Sequence, residues 1–237
     1  MGKYINRSVC ALLALVSFGC GAPAFAATSL LSAADQAQLG SWLGEGQIKL
    51  TNIYTKAAGD TSVEFHAAVD GKGRTFAVME ATNEHGQTWL VGGYDPQSWS
   101  TKGSFNITAN QSDRTGFLFN LTNGSKHQQT PKTYSLDTLG SYQTFNHIDY
   151  GPTFGAGNDL YVGKDMTHGL SLMYSYIDEN GVNFYTSLLD GSPYAGPNVT
   201  YGAIQVYSIA AVPEPATAAM LLAGLAALAL ARRRQRG

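Results

Sequence analysis

Five histidines, His66, His85, His127, His147 and His168, are the first residues to test for chemistry, since imidazole serves both as metal ligand and as general base. Each stands alone: the chain has no His-x-His and no His-x-x-x-His. His147 and Asp149 make the nearest approach to a metal pair, because residues two apart on a strand share a face. Nothing around them completes a ligand set, so the spacing favours a structural role. A serine nucleophile would need a base that is itself oriented, and no Gly-x-Ser-x-Gly elbow occurs.

Oxygen ligands fare little better. Asp159 and Asp165 flank a short apolar stretch, and Asp178-Glu179-Asn180 could offer carboxylates, but no twelve-residue calcium loop is present. Asp178–Gly181 reads as a turn. The phrase Gly151–Gly157 does not lead from a strand into a helix with phosphate-binding spacing. A carboxylate pair drawn from distant strands stays open, because spacing alone cannot address it. Trp89, Trp99 and twelve tyrosines of the core could stack on sugars, although in a β domain most such rings belong to packing. The sequence therefore assigns no catalytic residue, no metal ligand and no cofactor, and predicts a protein that is not an enzyme.

The elements that would position these residues are short. Ser32-Ala33-Ala34-Asp35 has the form of a capping box, and Leu39, Trp42 and Leu43 recur at helical spacing, so Ala33–Leu43 is predicted as a helix closed by Gly44. Beyond it the period becomes two. Val63, Phe65, Ala67 and Val69 alternate with Glu64 and His66, which predicts a strand paired through Asp70-Gly71-Lys72-Gly73 with Thr75–Ala81. Trp89–Tyr94 is a doubly buried strand by its unbroken apolar run. Phe117–Leu121 ends at the hairpin signal Asn123-Gly124. Leu170–Ile177, Val182–Leu189 and Ala203–Ile209 complete about ten predicted strands. The expectation is mainly β: one two-sheet antiparallel β-sandwich over 27–211 with a short N-terminal helix.

The two ends read as addresses. Lys3 and Arg7 precede the apolar run Val9–Phe18, and Ala24-Phe25-Ala26 supplies small residues at −3 and −1, the form of a secretory signal over 1–26 cut after Ala26 by signal peptidase. Lipidation at Cys20 is the rival, disfavoured by bulky Phe18. Cys10 and Cys20, the only cysteines, would both leave with this segment. At the other end, Val212-Pro213-Glu214-Pro215 opens an apolar stretch to Ala231, followed by Arg232-Arg233-Arg234-Gln235-Arg236. Over 212–237 this predicts a short transmembrane helix with its arginines on the cytoplasmic side.

Composition narrows the rest. Of 237 residues, 184 lie between these ends, and they carry 9 Lys+Arg against 16 Asp+Glu, a net charge of −7. Without a basic stripe for phosphates, a nucleic-acid partner is excluded as the main function.

The order Pro-Glu-Pro, apolar helix, terminal arginines resembles the PEP-CTERM sorting signal. That resemblance implies recognition by an exosortase in the inner membrane of a Gram-negative bacterium, cleavage near the motif, and delivery to the cell surface or extracellular matrix. The core phrases run from Phe65-His66 and Asp70–Thr75 through Gly92-Gly93-Tyr94 with Trp99, Phe117-Leu118-Phe119 and Gly151-Pro152-Thr153-Phe154-Gly155-Ala156-Gly157-Asn158-Asp159 to Ile204-Gln205-Val206-Tyr207. Together they are similar to the TLDc domain, with Val91 and Gln205 as departures. This second resemblance implies a β-sandwich without an agreed catalytic centre. The expected function is that of an exported, non-catalytic binding domain, whose partners would be exopolysaccharide or envelope proteins. A carbohydrate-binding module is the alternative, and a matrix-acting enzyme the third.

Overall fold

A computed structural model describes residues 28–130, 139–177, 183–193 and 198–211. The signal segment with Ala24 and Ala26, the Asp178–Gly181 turn and the sorting residues Val212, Pro213, Glu214, Pro215, Arg232, Arg233 and Arg234 lie outside them.

Helix α1 spans Ala33–Leu43 as its caps dictate. The Ser32 hydroxyl accepts from Asp35 N–H, the Asp35 carboxylate accepts from Ser32 N–H, and Gly44 closes the helix at φ 74°. Strand β1 (Ile48–Thr55) follows, and then the structure departs from the alternating pattern. Residues Ser62–Val69 form helix α2, not a strand. Thr61 and Glu64 make a second capping box, and Ser62, Phe65, His66 and Val69 are buried on one stripe at helical spacing, while Val63 and Ala67 face solvent.

Ten further strands complete the described body: β2 (Thr75–Thr82), β3 (Thr88–Asp95), β4 (Ser104–Ile107), β5 (Phe117–Asn120), β6 (Ser125–Gln128), β7 (Tyr142–Asn146), β8 (Thr153–Phe154), β9 (Leu160–Val162), β10 (His168–Leu170) and β11 (Val199–Ala211). All pairings between these strands are antiparallel. They join into one array in the order β4-β7-β8-β9-β10-β11-β2-β3-β5-β6, with β1 also on β11, where the sequence predicts two separate sheets. The long strand β11 makes this continuity: one edge pairs with β10 at its start and with β1 further on, while the other edge runs along β2 from Thr200 to Ser208, with a register shift between Tyr201 and Ile204.

Two apolar clusters sit on opposite faces of β2, β3, β5 and β11. Phe76, Val78, Phe117, Phe119 and Tyr207 pack under α1. Ala77, Met79, Val91, Leu118 and Val206 meet α2 and the strands β8 and β9 folded over them. Burial on both faces explains the unbroken apolar runs of β2 and β3. Gly92 and Gly93 allow close approach here: a side chain on Gly92 would overlap the Ala77 carbonyl, and one on Gly93 the Phe154 ring.

Residues 171–177 are irregular, and residues 183–189 form turns, where two strands are predicted. In the first of these segments a side chain takes the place of a strand partner. Asp159 Oδ2 accepts from the backbone N–H groups of Tyr174 (2.6 Å), Ser175 (2.7 Å) and Tyr176 (2.9 Å), satisfying donors that a neighbouring strand would otherwise have to meet.

Candidate functional site

The residues singled out by type and spacing are mostly structural. Trp99 is 1% exposed and its indole donates to Thr75 Oγ1 at 2.9 Å, so it offers no stacking face to a ligand. Phe154 meets Trp99 edge-on at 5.4 Å, while Phe117 and Phe119 pack with Trp42 and Phe76 on the other side of the sheet. Gly151 and Gly157 pack against Met166 and Tyr174, where a side chain would overlap both neighbours. The structure thus spreads the motif residues over the two cores and gathers none of them round an opening.

His66 is buried on α2, not exposed on a strand. Its Nδ1 lies 2.7 Å from Asp70 Oδ1, and its Nε2 donates to the carbonyls of His147 (2.9 Å) and Tyr150 (3.0 Å). The ring therefore pins the 147–150 loop to α2, and the Ser62 hydroxyl reinforces it by donating to the Ile148 carbonyl. His147 and Asp149 occupy this turn beyond the end of β7. His147 Nδ1 accepts from Asp149 N–H, and the Asp149 carboxylate pairs with Lys164 at 2.7 Å, which holds it below the usual carboxylate range. Among the described residues, no three His, Cys, Asp or Glu side chains converge as a metal site would require.

Two carboxyls are fully buried. Burial pushes Asp95 up to about 7, against the pull of hydrogen bonds from Gln97 N–H, Gln143 and Thr144. Asp159 is pushed to about 7 in the same way, against its three amide donors. One oxygen of each has no hydrogen-bond partner, yet neither faces an opening to solvent.

The solvent-facing arrangement lies on β4, β7 and β9. Gln143 is an extra residue in β7, at the register shift opposite Asn106 and Ile107. It turns inward with Thr144, so Tyr142 and Phe145, three apart, share the outer face. The inner side is a polar network: Gln143 donates to Asp95 and accepts from Gln97 and Thr108, and Asn106 donates to Thr144. The outer side is aromatic. Tyr142 meets Phe105 at 4.9 Å, Phe105 meets Phe145 at 4.7 Å, Phe145 meets Tyr150 at 5.0 Å, and Tyr150 meets Tyr161 at 5.2 Å between ring centroids. His147 lies parallel to Phe145, 4° from coplanar orientation. These rings are half-buried, belong to neither apolar cluster, and are bordered by Ile107 at 50% exposure.

At Tyr161 the row of rings opens into a cleft of about 470 Å³, lined also by Lys164, Asp165 and His168. Asp165 accepts from the Thr167 and His168 backbone amides and lies 2.5 Å from His168 Nδ1. Slight burial pushes its carboxyl up, but the His168 ring and these amides outweigh that and hold it at about 2. Asp159, on the other side of β9, does not join it in a cation site. The sequence offers Trp89, Trp99 and twelve tyrosines for ring stacking, with Tyr142, Tyr150 and Tyr161 among them, but it does not single out this face or its phenylalanines, because a bulge removes the period-two signal that would have marked it.

The PEP-CTERM protein-sorting motif matches residues 211–235, so it begins at Ala211, the last residue of β11. No curated protein matches the chain.

Proposed function

We propose that this chain is an exported protein, processed by an exosortase at its C-terminal signal, whose β-rich domain acts outside the cell as a non-catalytic binding domain. The sorting motif over 211–235 carries the reading. In this proposal residues 1–26 direct export and are cut after Ala26. Residues 212–237 hold the precursor in the inner membrane with Arg232, Arg233 and Arg234 on the cytoplasmic side. Processing then delivers the domain to the cell surface or matrix. The likeness to TLDc domains enters only through the sequence phrases from Phe65-His66 to Ile204-Gln205-Val206-Tyr207, and supplies the expectation of a β-sandwich without a catalytic centre.

A non-catalytic role is supported by how the imidazoles are engaged. His66, His147 and His168 bond to carboxylates or backbone groups, and none of them hydrogen-bonds a Ser or Thr hydroxyl among the described residues. The test is cell fractionation with mass measurement of the mature protein. Replacing Pro213, Glu214 and Pro215 by alanine is expected to leave a heavier, membrane-retained form; an unchanged mature mass and location would refute the proposal.

A further inference from the structure

We infer that the aromatic row on β4, β7 and β9 and the cleft at its end form a binding site for a neutral, extended polysaccharide. The inference rests on the extracellular destination proposed above and adds the ligand class. Adjacent strands lie ~4.8 Å apart, and Phe105, Phe145, Tyr150 and Tyr161 step across β4, β7, the loop after it and β9 at 4.7–5.2 Å between successive rings. Successive planes are inclined by 48°, 86° and 52°, so a chain laid across the strands meets ring faces and ring edges in turn at a one-strand spacing, which suits C–H contacts from a polymer of repeated units.

Polar groups accompany the rings. The Tyr142 and Tyr150 hydroxyls make no hydrogen bond among the described residues. Since His147 Nδ1 accepts from a backbone amide, its Nε2 carries the hydrogen and remains available beside Phe145. Sugars, which pair C–H faces with hydroxyls, match this alternation of ring face and polar atom. An apolar peptide would leave those polar groups unmet.

Charge selects among glycans. At the cleft Lys164 is matched by Asp149 at 2.7 Å and His168 by Asp165 at 2.5 Å, and Lys56 is turned onto the carbonyls of Tyr201 and Gly202. The two lysines of this end are thus engaged within the protein, and the domain as a whole is acidic, which disfavours uronate polymers and favours uncharged ones.

The test is affinity electrophoresis of the purified full chain in gels containing hydroxyethyl cellulose, with alginate as the acidic comparison. Retardation by the neutral polymer is expected. Phe105→Ala and Phe145→Ala should each weaken it about 5- to 10-fold, from lost ring contact. Tyr142→Phe and Tyr150→Phe, which keep the rings and the packing, should weaken it about 2- to 5-fold by removing only hydroxyls. Tyr185→Ala, at a more exposed ring outside the row, should leave it unchanged. Unaltered thermal unfolding of the phenylalanine variants separates lost binding from lost fold. Retardation by alginate alone, no retardation by either polymer, or a self-association that Phe105→Ala abolishes would overturn the inference while leaving the sorting proposal intact. A wild-type tail that is never processed would refute the sorting proposal instead.

Discussion

The Asp159 carboxylate occupies the space that a side chain on Gly155 would need. Gly155 holds φ 75° while its N–H donates to the Gln143 carbonyl, and Asp159 from the same loop reaches across to the amides of 174–176. Glycine is required twice over here, by the left-handed backbone and by the carboxylate beside it. Gly155→Ala is expected to destabilise the fold by about 3 kcal/mol or more, combining overpacking with backbone strain. Thermal or urea unfolding checks this, and a loss below about 1 kcal/mol would contradict the geometry.

Stability should depend on pH in two opposed limbs. Asp95 and Asp159 stay protonated in the folded state up to about 7, whereas the unfolded chain releases those protons near 3.8. The unfolded state then binds fewer protons over that window, so stability falls as pH rises from 3.8 to about 7 and levels off above it. Each carboxyl contributes up to roughly 4 kcal/mol to this fall. Asp165, held at about 2, acts oppositely, and its contribution disappears as pH drops towards that value. Unfolding curves collected across pH should show the upper limb reduced by about half in Asp95→Asn, since one of two groups no longer titrates. A variant with the wild-type slope would refute the assignment.

Gln205 clamps the chain's first described residues to the sheet. Its Oε1 accepts from Leu30 N–H at 2.8 Å and from the Tyr207 hydroxyl, and its Nε2 donates to the Thr28 carbonyl at 2.9 Å. Only an amide can both donate and accept here. Gln205→Glu should destabilise the buried site by about 2 kcal/mol and raise hydrogen exchange at Leu30 and Leu31. Unchanged exchange there would show that the segment is held by other contacts.

His66 links α2 to the loop that carries Tyr150. His66→Ala removes the hydrogen bonds to Asp70 and to the His147 and Tyr150 carbonyls, and should lower stability by about 2–3 kcal/mol. Amide exchange at Asp149 and Tyr150 should rise more than in β2 or β3. A uniform increase across the molecule would mean that the ring supports the whole core and not this loop.

Legibility in the sequence followed the range of the interactions. Helix α1 could be read to its last residue because Ser32, Asp35 and Gly44 act within a turn of the backbone they cap. The doubly buried β3 and the Asn123-Gly124 hairpin were equally local. Helix α2 carried two signals, an alternation at Val63–Val69 and a capping box at Thr61 and Glu64, and the box with its helical stripe prevailed. The irregular course of residues 174–176 was unreadable, because their amides are met by Asp159, 15 to 17 positions away. The aromatic face was hidden for a related reason: Gln143 is an extra residue only with respect to Asn106 and Ile107 of a partner strand far earlier in sequence, so no count along β7 alone reveals it.

One strand connects both ends of the story. Thr200, near the start of β11, pairs with His168 at the cleft, and Ala211, at its finish, pairs with Ile48 and opens the sorting motif. Eleven residues of extended chain amount to roughly 35 Å. The cleft and the first residue of the sorting motif therefore stand at opposite ends of one strand, so a ligand held beside His168 would lie about that distance from the point where the motif begins.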